Sequence, residues 1–308
     1  MRRALAAAAA LLAIGAHAEP PRYDKPELAG VVLSTELGEN SGFAASLRRD
    51  GLLWALNDNQ NPNRIYALEP SGAVLARYEV EGVPNIDWED LASFELDGKP
   101  YLLIADVGDN NGVRQELRLI VAPEPEPSSG QDVGKVAPLY VTRVRYPDGP
   151  RDCEAVAVDP ARNEVLLLSK RRVPAQLFVV PLRPEAGAAD LVTARQVAHV
   201  DNIPQPTPEE IAQHPRAGRY LGEPTAMALR PDGREIAVLT YRDVYVYERR
   251  PGESWQDTFA RKPVALGIPP LPQGEALTYS RGGDALYASG ERLPAPIVRI
   301  ARTSAASR

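Results

Sequence analysis

DWEDLASF at residues 87–94 and YLLIADVGDNN at residues 101–111 together decide the fold of this chain. The first run is a short strand that opens with acids, and the second is an apolar strand that ends in acids and amides. Asp97-Gly98 lies between them, and this dipeptide favours a tight hairpin turn because it tolerates positive φ. The two runs therefore predict a β-hairpin whose open end is acidic.

Four further segments repeat this pattern of strand, tight turn and apolar strand. The five hairpins open at equivalent positions, which are Ser41, Glu89, Glu154, Thr225 and Glu275. A third strand is predicted after each hairpin, and a fourth strand after the first four hairpins. Self-similar four-stranded units predict a β-propeller, in which blades stack around an axis because a single blade cannot bury both of its faces.

The last repeat runs out of chain before its fourth strand. Residues 31–36, VVLSTE, have no partner near the N-terminus, so we expect them to form the outer strand of the last blade and close the ring. The predicted fold is thus an all-β propeller of five four-stranded blades. Six blades are the alternative, because the insert at residues 202–220, with a short helix after Thr207, has room for a degenerate blade. A β-sandwich is the other alternative.

Residues 1–18 have the pattern of a cleaved secretory signal peptide. Arg2 and Arg3 precede an apolar run too short to span a bilayer, and Ala16-His17-Ala18 is an A-x-A cleavage site. We therefore expect a periplasmic or secreted protein with one propeller domain at residues 19–308 and no membrane span. The net charge of −6 becomes about −8 without the two arginines, which argues against nucleic acid or an anionic membrane as a partner.

The first strand of a propeller blade lines the axis, and its start faces one mouth of the channel. The aligned glutamates are expected at this mouth, together with polar residues that end the second strands. Converging carboxylates repel one another without a counter-charge, and Ca2+ suits them because it takes about six to eight oxygen ligands in loose geometry. The predicted Ca2+ ligands are Asp58, Glu89, Asp106, Asp109, Glu154 and Glu275.

Other residues at this mouth have the chemistry to bind an anionic ligand or to act in a reaction. The candidate catalytic residues are Glu89, Glu154, Lys170 and Arg171, and the candidate ligand-binding residues are Tyr241, Arg242 and Glu291. Zn2+, copper and a Ser-His-Asp triad are disfavoured, because the chain after the leader has one cysteine and two histidines. Each glutamate also has a structural alternative, in which it pairs with an arginine or accepts backbone N–H groups from the next blade.

Four runs resemble secreted bacterial β-propellers, namely the phytase-like esterase domains and the SdiA-regulated proteins. They are WEDLA at 88–92, IADVGDN at 104–110, EAVAVD at 154–159 and QGEAL at 273–277. The resemblance covers about residues 28–302 and implies a propeller of five or six blades with Ca2+ at the axis. In true β-propeller phytases, acidic clusters hold several Ca2+ ions and Lys and Arg bind phosphate. That phosphate-binding motif does not map onto this chain residue by residue.

Two functions fit these observations. The first is a non-catalytic propeller that binds a small anionic ligand, a glycan or a protein at a Ca2+-containing mouth. The alternative is a metal-dependent hydrolase, phytase-like or esterase-like, in which Ca2+ polarises an anionic ester and one free carboxylate acts as base. The sequence carries no nucleophile motif, and neither of these functions requires one.

Overall fold

A computed structural model describes residues 22–127, 133–183 and 191–303, and the predicted leader lies outside these ranges. In chain order the strands are β1 (Arg22–Tyr23), β2 (Glu27–Val32), β3 (Asn40–Ala45), β4 (Leu53–Asn57), β5 (Arg64–Leu68), β6 (Val74–Val80), β7 (Trp88–Leu96), β8 (Lys99–Asp106), β9 (Leu117–Pro123), β10 (Val133–Val136), β11 (Tyr140–Arg145), β12 (Cys153–Asp159), β13 (Glu164–Ser169), β14 (Ala175–Pro181), β15 (Leu191–Thr193), β16 (Arg195–Val200), β17 (Pro224–Leu229), β18 (Glu235–Thr240), β19 (Asp243–Glu248), β20 (Val264–Gly267), β21 (Gly274–Tyr279), β22 (Ala285–Gly290) and β23 (Ala295–Thr303). The α-helices of this part are α1 (Pro208–Gln213) and α2 (Trp255–Phe259). Neither is long and apolar enough to cross a membrane.

The strands form the five blades of a β-propeller, as the repeats predict. Blade 1 is β3–β6, blade 2 is β7, β8, β9 and β11, blade 3 is β12, β13, β14 and β16, blade 4 is β17–β20, and blade 5 is β21–β23 with the N-terminal strands. Two short parallel strands widen the outer edges of blades, since β10 pairs with β6 and β15 pairs with β11. The repeat pattern did not predict these two additions.

The N-terminal segment closes the ring on the outer edge of β23. Strand β2 pairs antiparallel with β23, and β1 continues along the same edge. The expectation that residues 31–36 form this strand was wrong in its bounds, because the strand is Glu27–Val32 and Thr35–Leu37 is a 3-10 turn. The sequence pattern of this strand is weak because Gly30 lies in its middle, and glycine is unfavourable inside strands. It is needed there because a β-carbon would overlap the backbone of Ser71 in blade 1.

The insert before blade 4 is not a blade. Its helix α1 begins after Thr207, whose hydroxyl accepts the N–H of Glu210 at 3.2 Å while the Glu210 carboxylate accepts the N–H of Thr207 at 2.7 Å. This reciprocal capping box confirms the predicted helix. The five blades account for the sheets of the described residues, so both the six-blade and the sandwich alternatives are wrong.

The apolar core is divided among the interfaces between neighbouring blades. Five clusters of buried side chains lie one at each interface, including that between blade 5 and blade 1. Cys153 belongs to the cluster between blades 2 and 3, where burial raises the pKa of its thiol to about 12. Every blade thus buries both faces against its neighbours, which holds the five first strands around a common axis.

Candidate metal-binding site at the acidic mouth

Each of the five first strands carries a β-bulge at the residue that the repeats align. The pairing of β7 with β8 skips Glu89, that of β12 with β13 skips Glu154, and that of β21 with β22 skips Glu275. Ser41 in β3 and Thr225 in β17 are skipped in the same way. A bulged residue leaves the hydrogen-bond ladder and its side chain is re-aimed. We call the end of the channel that bears these five residues the acidic mouth.

Five carboxylates of the acidic mouth lie together in two overlapping groups. Asp58, Asp87 and Glu89 form the first group, and Glu89, Asp152 and Glu154 form the second. Within each group, one oxygen atom per residue lies within 4.8 Å of the other two. Glu89 and Glu154 are only 2% and 3% exposed. Carboxylates from blades 1, 2 and 3 are therefore concentrated where little water can screen them.

Several of these oxygens have no hydrogen-bond donor among the described residues. Oδ1 of Asp87, Oε1 of Glu89 and Oε2 of Glu154 are buried and unpaired. The other oxygen of Glu89 accepts the hydroxyl of Ser41 at 3.2 Å. An unpaired buried carboxylate oxygen lowers stability because it has lost its water without gaining a partner. A cation with oxygen ligands would give such atoms a partner, Asp87 with Glu89 in the first group or Glu89 with Glu154 in the second.

The protonation of the acidic mouth reflects this crowding. Burial raises the pKa of Glu89 well above its usual range, and the charges of Glu154, Asp58 and Asp87 raise it further. Burial likewise raises the pKa of Asp58 to about 6 and raises the pKa of Asp87. The raised pKa values favour the binding of protons at the mouth. A bound cation would displace them.

Lys170 neutralises the side of the mouth that faces blade 5. Its ammonium group pairs with Oε1 of Glu154 and lies 3.5 Å from Oε1 of Glu275. It also donates to the hydroxyl of Tyr241 at 2.8 Å, and that hydroxyl donates to Glu275. Burial alone lowers the pKa of Lys170, but Glu154 and Glu275 outweigh it and raise the value. Glu291 is buried beside Glu275 with an unpaired Oε1, and burial raises its pKa to about 11.

Three predicted ligands lie outside the two carboxylate groups, namely Glu275, which Lys170 and Tyr241 hold, and Asp106 and Asp109. Asp106 accepts Nη2 of Arg114 at 2.8 Å and Nε of Arg118 at 2.9 Å. Asp109 accepts the backbone N–H groups of Val113 and Arg114 at 2.8 and 3.0 Å. Both aspartates therefore shape the loop after β8, and neither belongs to the two carboxylate groups.

The two predicted arginines have different surroundings. Arg171 is at the rim, with a side chain 48% exposed and its Nε 2.7 Å from Oδ2 of Asp152. Arg242 instead fastens the insert, because it donates to the carbonyl of Pro204 at 3.0 Å and to Oε2 of Glu210 at 2.7 Å. Arg171 also donates to the carbonyl and the side-chain oxygen of Asn110, so both arginines are bonded within the protein. Arg171 differs from Arg242 in that its side chain stays about half exposed at the mouth.

The predicted ligand set omits residues that the structure brings to the site. Asp87 and Asp152 each precede a bulged glutamate by two positions, so a repeated Asp-x-Glu was the signal for them. Gly108 also belongs to the site, since the carboxylates of Asp87 and Glu89 lie directly against its α-carbon. A single sequence does not show that a glycine such as Gly108 is needed because other side chains pack against its backbone.

Asp90 follows the bulge of β7 but has a structural role. Its fully buried carboxylate accepts the backbone N–H groups of Leu91 at 2.8 Å, Val156 at 2.8 Å and Met227 at 3.2 Å. These donors belong to blades 2, 3 and 4. The carboxylate bonded to neighbouring backbones is therefore that of Asp90 and not that of Glu89, which accepts a hydrogen bond from Ser41 alone among the described residues.

Comparisons with known proteins show no family for this chain. No protein-family model matches the chain, and no curated protein matches it. Among solved structures, the chain is similar to the hydrazine synthase of Kuenenia stuttgartiensis, with 11% identity and a TM-score of 0.44 over 86% of this chain and 84% of that one. So distant a likeness carries no functional argument, and the function has to be inferred from the acidic mouth.

Proposed function

We propose that this protein is a periplasmic or secreted β-propeller that binds Ca2+ at the acidic mouth and uses the loaded mouth to bind an anionic ligand or partner. The observation that carries this proposal is the set of buried, unpaired oxygens on Asp87, Glu89 and Glu154. The predicted leader at residues 1–18 supports the location.

The donor set favours Ca2+ over other common cations. The two carboxylate groups offer only oxygen atoms, which hard cations prefer, and include no histidine or cysteine. The carboxylates come from loops and bulges in three blades, and such a site suits the loose coordination geometry of Ca2+ better than the strict octahedron of Mg2+. The resemblance to phytase-like propellers supports the same cation.

A bound cation would convert the acidic mouth into a site for anions. Ca2+ would offset the negative charge of the carboxylates, and the exposed guanidinium of Arg171 lies beside them. An anionic group such as a phosphate or carboxylate would then meet the cation and Arg171 together. Lys170 has no part in this contact, because its side chain is only 5% exposed and pairs with Glu154 and Glu275, whereas Arg171 is 48% exposed.

Calorimetric titration of EDTA-treated protein tests the cation site. We expect Ca2+ to bind more tightly than Mg2+, and Glu89→Gln to weaken Ca2+ binding at least about tenfold. Glu209→Gln is the matched control, because Glu209 is exposed on α1 outside the mouth, and should bind as the wild type does. Absence of Ca2+ binding, together with no effect of EDTA on the melting temperature, would reject the proposal.

The ligand is tested on the Ca2+-loaded protein. Inorganic phosphate is the probe, and we expect its binding to require Ca2+ and to weaken in Arg171→Ala. A parallel screen of phosphate monoesters and lactones separates binding from catalysis. Turnover by the wild type that Glu89→Gln abolishes would identify a hydrolase instead of a binding protein.

A further inference from the structure

A cavity of about 390 Å³ lies at the end of the channel opposite the acidic mouth. All five first strands contribute to it past their bulges, through Phe43, Leu91, Ala157, Met227 and Thr278. We call this cavity the distal pocket. Because each strand carries its bulge at one end and its pocket residues toward the other, the distal pocket opens on the face away from the acidic mouth.

Asp90 separates the two sites and sets the floor of the distal pocket. Its carboxylate binds the N–H groups of Leu91 and Met227, and both residues line the pocket. Phe43, Leu91 and Met227 are each at most 2% exposed. A ligand entering from this face would therefore meet apolar side chains, while the polar backbone beneath them is already hydrogen-bonded.

The rim of the distal pocket is basic, in contrast to the acidic mouth. Arg230 and Arg281 are at the rim with a single acid, Glu95. Arg230 is held in place, because its Nε donates to the carbonyl of Gly283 at 2.9 Å and its Nη1 to Asp232 at 2.6 Å. Within residues 22–127, 133–183 and 191–303, Arg281 has neither an ion pair nor a hydrogen bond through its exposed guanidinium. The pocket thus presents one uncommitted cation above an apolar floor.

We propose that the distal pocket binds a small organic carboxylate with an apolar body. Its volume is in the range of small-molecule sites, about 300–1,000 Å³. The guanidinium of Arg281 matches a carboxylate in charge and shape, since it donates two parallel hydrogen bonds. The apolar body lies against Phe43, Leu91 and Met227. This site acts independently of the cation at the acidic mouth.

Calorimetry with two acids and their neutral amides tests the carboxylate. The probes are 3-phenylpropionate and 4-methylpentanoate, each compared with its primary amide. We expect the acids to bind more tightly than the amides, and Arg281→Ala to weaken the acids about tenfold while leaving the amides unchanged. Arg250→Ala is the matched control, because Arg250 is an exposed arginine outside the pocket, and should bind as the wild type does.

A filling variant tests the location. Ser93 is half-buried in the pocket wall, so Ser93→Trp should remove binding of acids and amides alike, with circular dichroism and the melting temperature reporting the fold. Glu89→Gln and EDTA should leave binding of the acids at the distal pocket unchanged. The test of the distal pocket and the test of the cation site can therefore fail separately. The proposal is overturned if no acid binds, or if Arg281→Ala binds the acids as tightly as the wild type does.

Discussion

Gly108 lies so close to the carboxylate of Glu89 that a β-carbon at position 108 would overlap Oε1 of Glu89. The same β-carbon would lie 2.6 Å from Oδ2 of Asp87, closer than side-chain atoms pack. The loop after β8 therefore forms one wall of the acidic mouth with its bare backbone. Glycine is required at position 108 because a side chain has no space there, and not because the backbone has a positive φ.

Gly108→Ala is predicted to damage the cation site. The new methyl group must push Glu89 and Asp87 apart, and such overpacking costs about 1–3 kcal/mol. We expect the free energy of unfolding to fall by this amount and Ca2+ affinity to fall at least about tenfold, measured by urea titration and calorimetry. Gly267→Ala is the control, because its β-carbon would meet only Oδ1 of Asp243, at 3.8 Å. If Gly108→Ala binds Ca2+ as tightly as the wild type does, the claim that the backbone of Gly108 packs against the carboxylates of the site is wrong.

Lys170→Met is predicted to be strongly destabilising. It removes the buried cation that Glu154 and Glu275 share, and loss of one partner from a buried ion pair costs about 3–5 kcal/mol. We expect this loss in urea titrations with EDTA, and a smaller loss with Ca2+. Lys135→Met is the control, since Lys135 is 66% exposed and its pair with Glu81 should contribute less than about 1 kcal/mol. Equal losses in both variants would show that Lys170 is not the counter-charge of the mouth.

Asp90→Ala is predicted to loosen the ring of blades. Three backbone N–H groups in three blades lose their acceptor, and a single unsatisfied buried donor costs about 1–3 kcal/mol. We expect the free energy of unfolding to fall by at least about 2 kcal/mol in urea titrations, because buried N–H groups are left without an acceptor. Asp50→Ala, at an exposed turn, should change it little. A small effect in Asp90→Ala would mean that the blades do not depend on this carboxylate.

The stability of the cation-free protein is predicted to fall as pH rises through about 6. Burial raises the pKa of Asp58 from 3.8 to about 6, so folding favours its protonated form. Such a group stabilises the fold fully below its unfolded pKa, and this contribution is lost as pH rises through the folded pKa. In EDTA the melting temperature should therefore be lower at pH 7 than at pH 5. Asp58→Asn should lessen this difference.

Calcium is predicted to change that pH dependence. Cation binding competes with protons at the same carboxylates, so Ca2+ affinity should increase from pH 5 to pH 7. The increase in melting temperature on adding Ca2+ should be larger at pH 7 for the same reason. A Ca2+ effect that is larger at pH 5 would contradict a site made of these carboxylates.

The shared position of Glu89, Glu154 and Glu275 could be predicted from the sequence. Equivalent positions of similar blades meet at the axis, so aligning five hairpins was enough to bring these residues to one mouth. The bulge at each of them was not visible in the alignment. It matters because the bulge gives the aligned side chain its direction.

The partners of individual acids could not be predicted in this way. Asp106 has the same acidic strand-end pattern as Asp58. Arg114, from the loop before the third strand, and Arg118, from that strand, reach Asp106 instead, and the repeats do not show which acid an arginine side chain reaches. Glu275 is equivalent to Glu89, yet Lys170 reaches it from blade 3. Which carboxylates stay unpaired therefore depends on contacts between blades.

A crystal structure of the protein grown with millimolar Ca2+ tests the central claim most directly. We predict an ion between Glu89 and Glu154, with carboxylate oxygens of both residues about 2.3–2.6 Å from it. Density without an ion, in which these two carboxylates bond only to each other or to protein donors, would contradict the account.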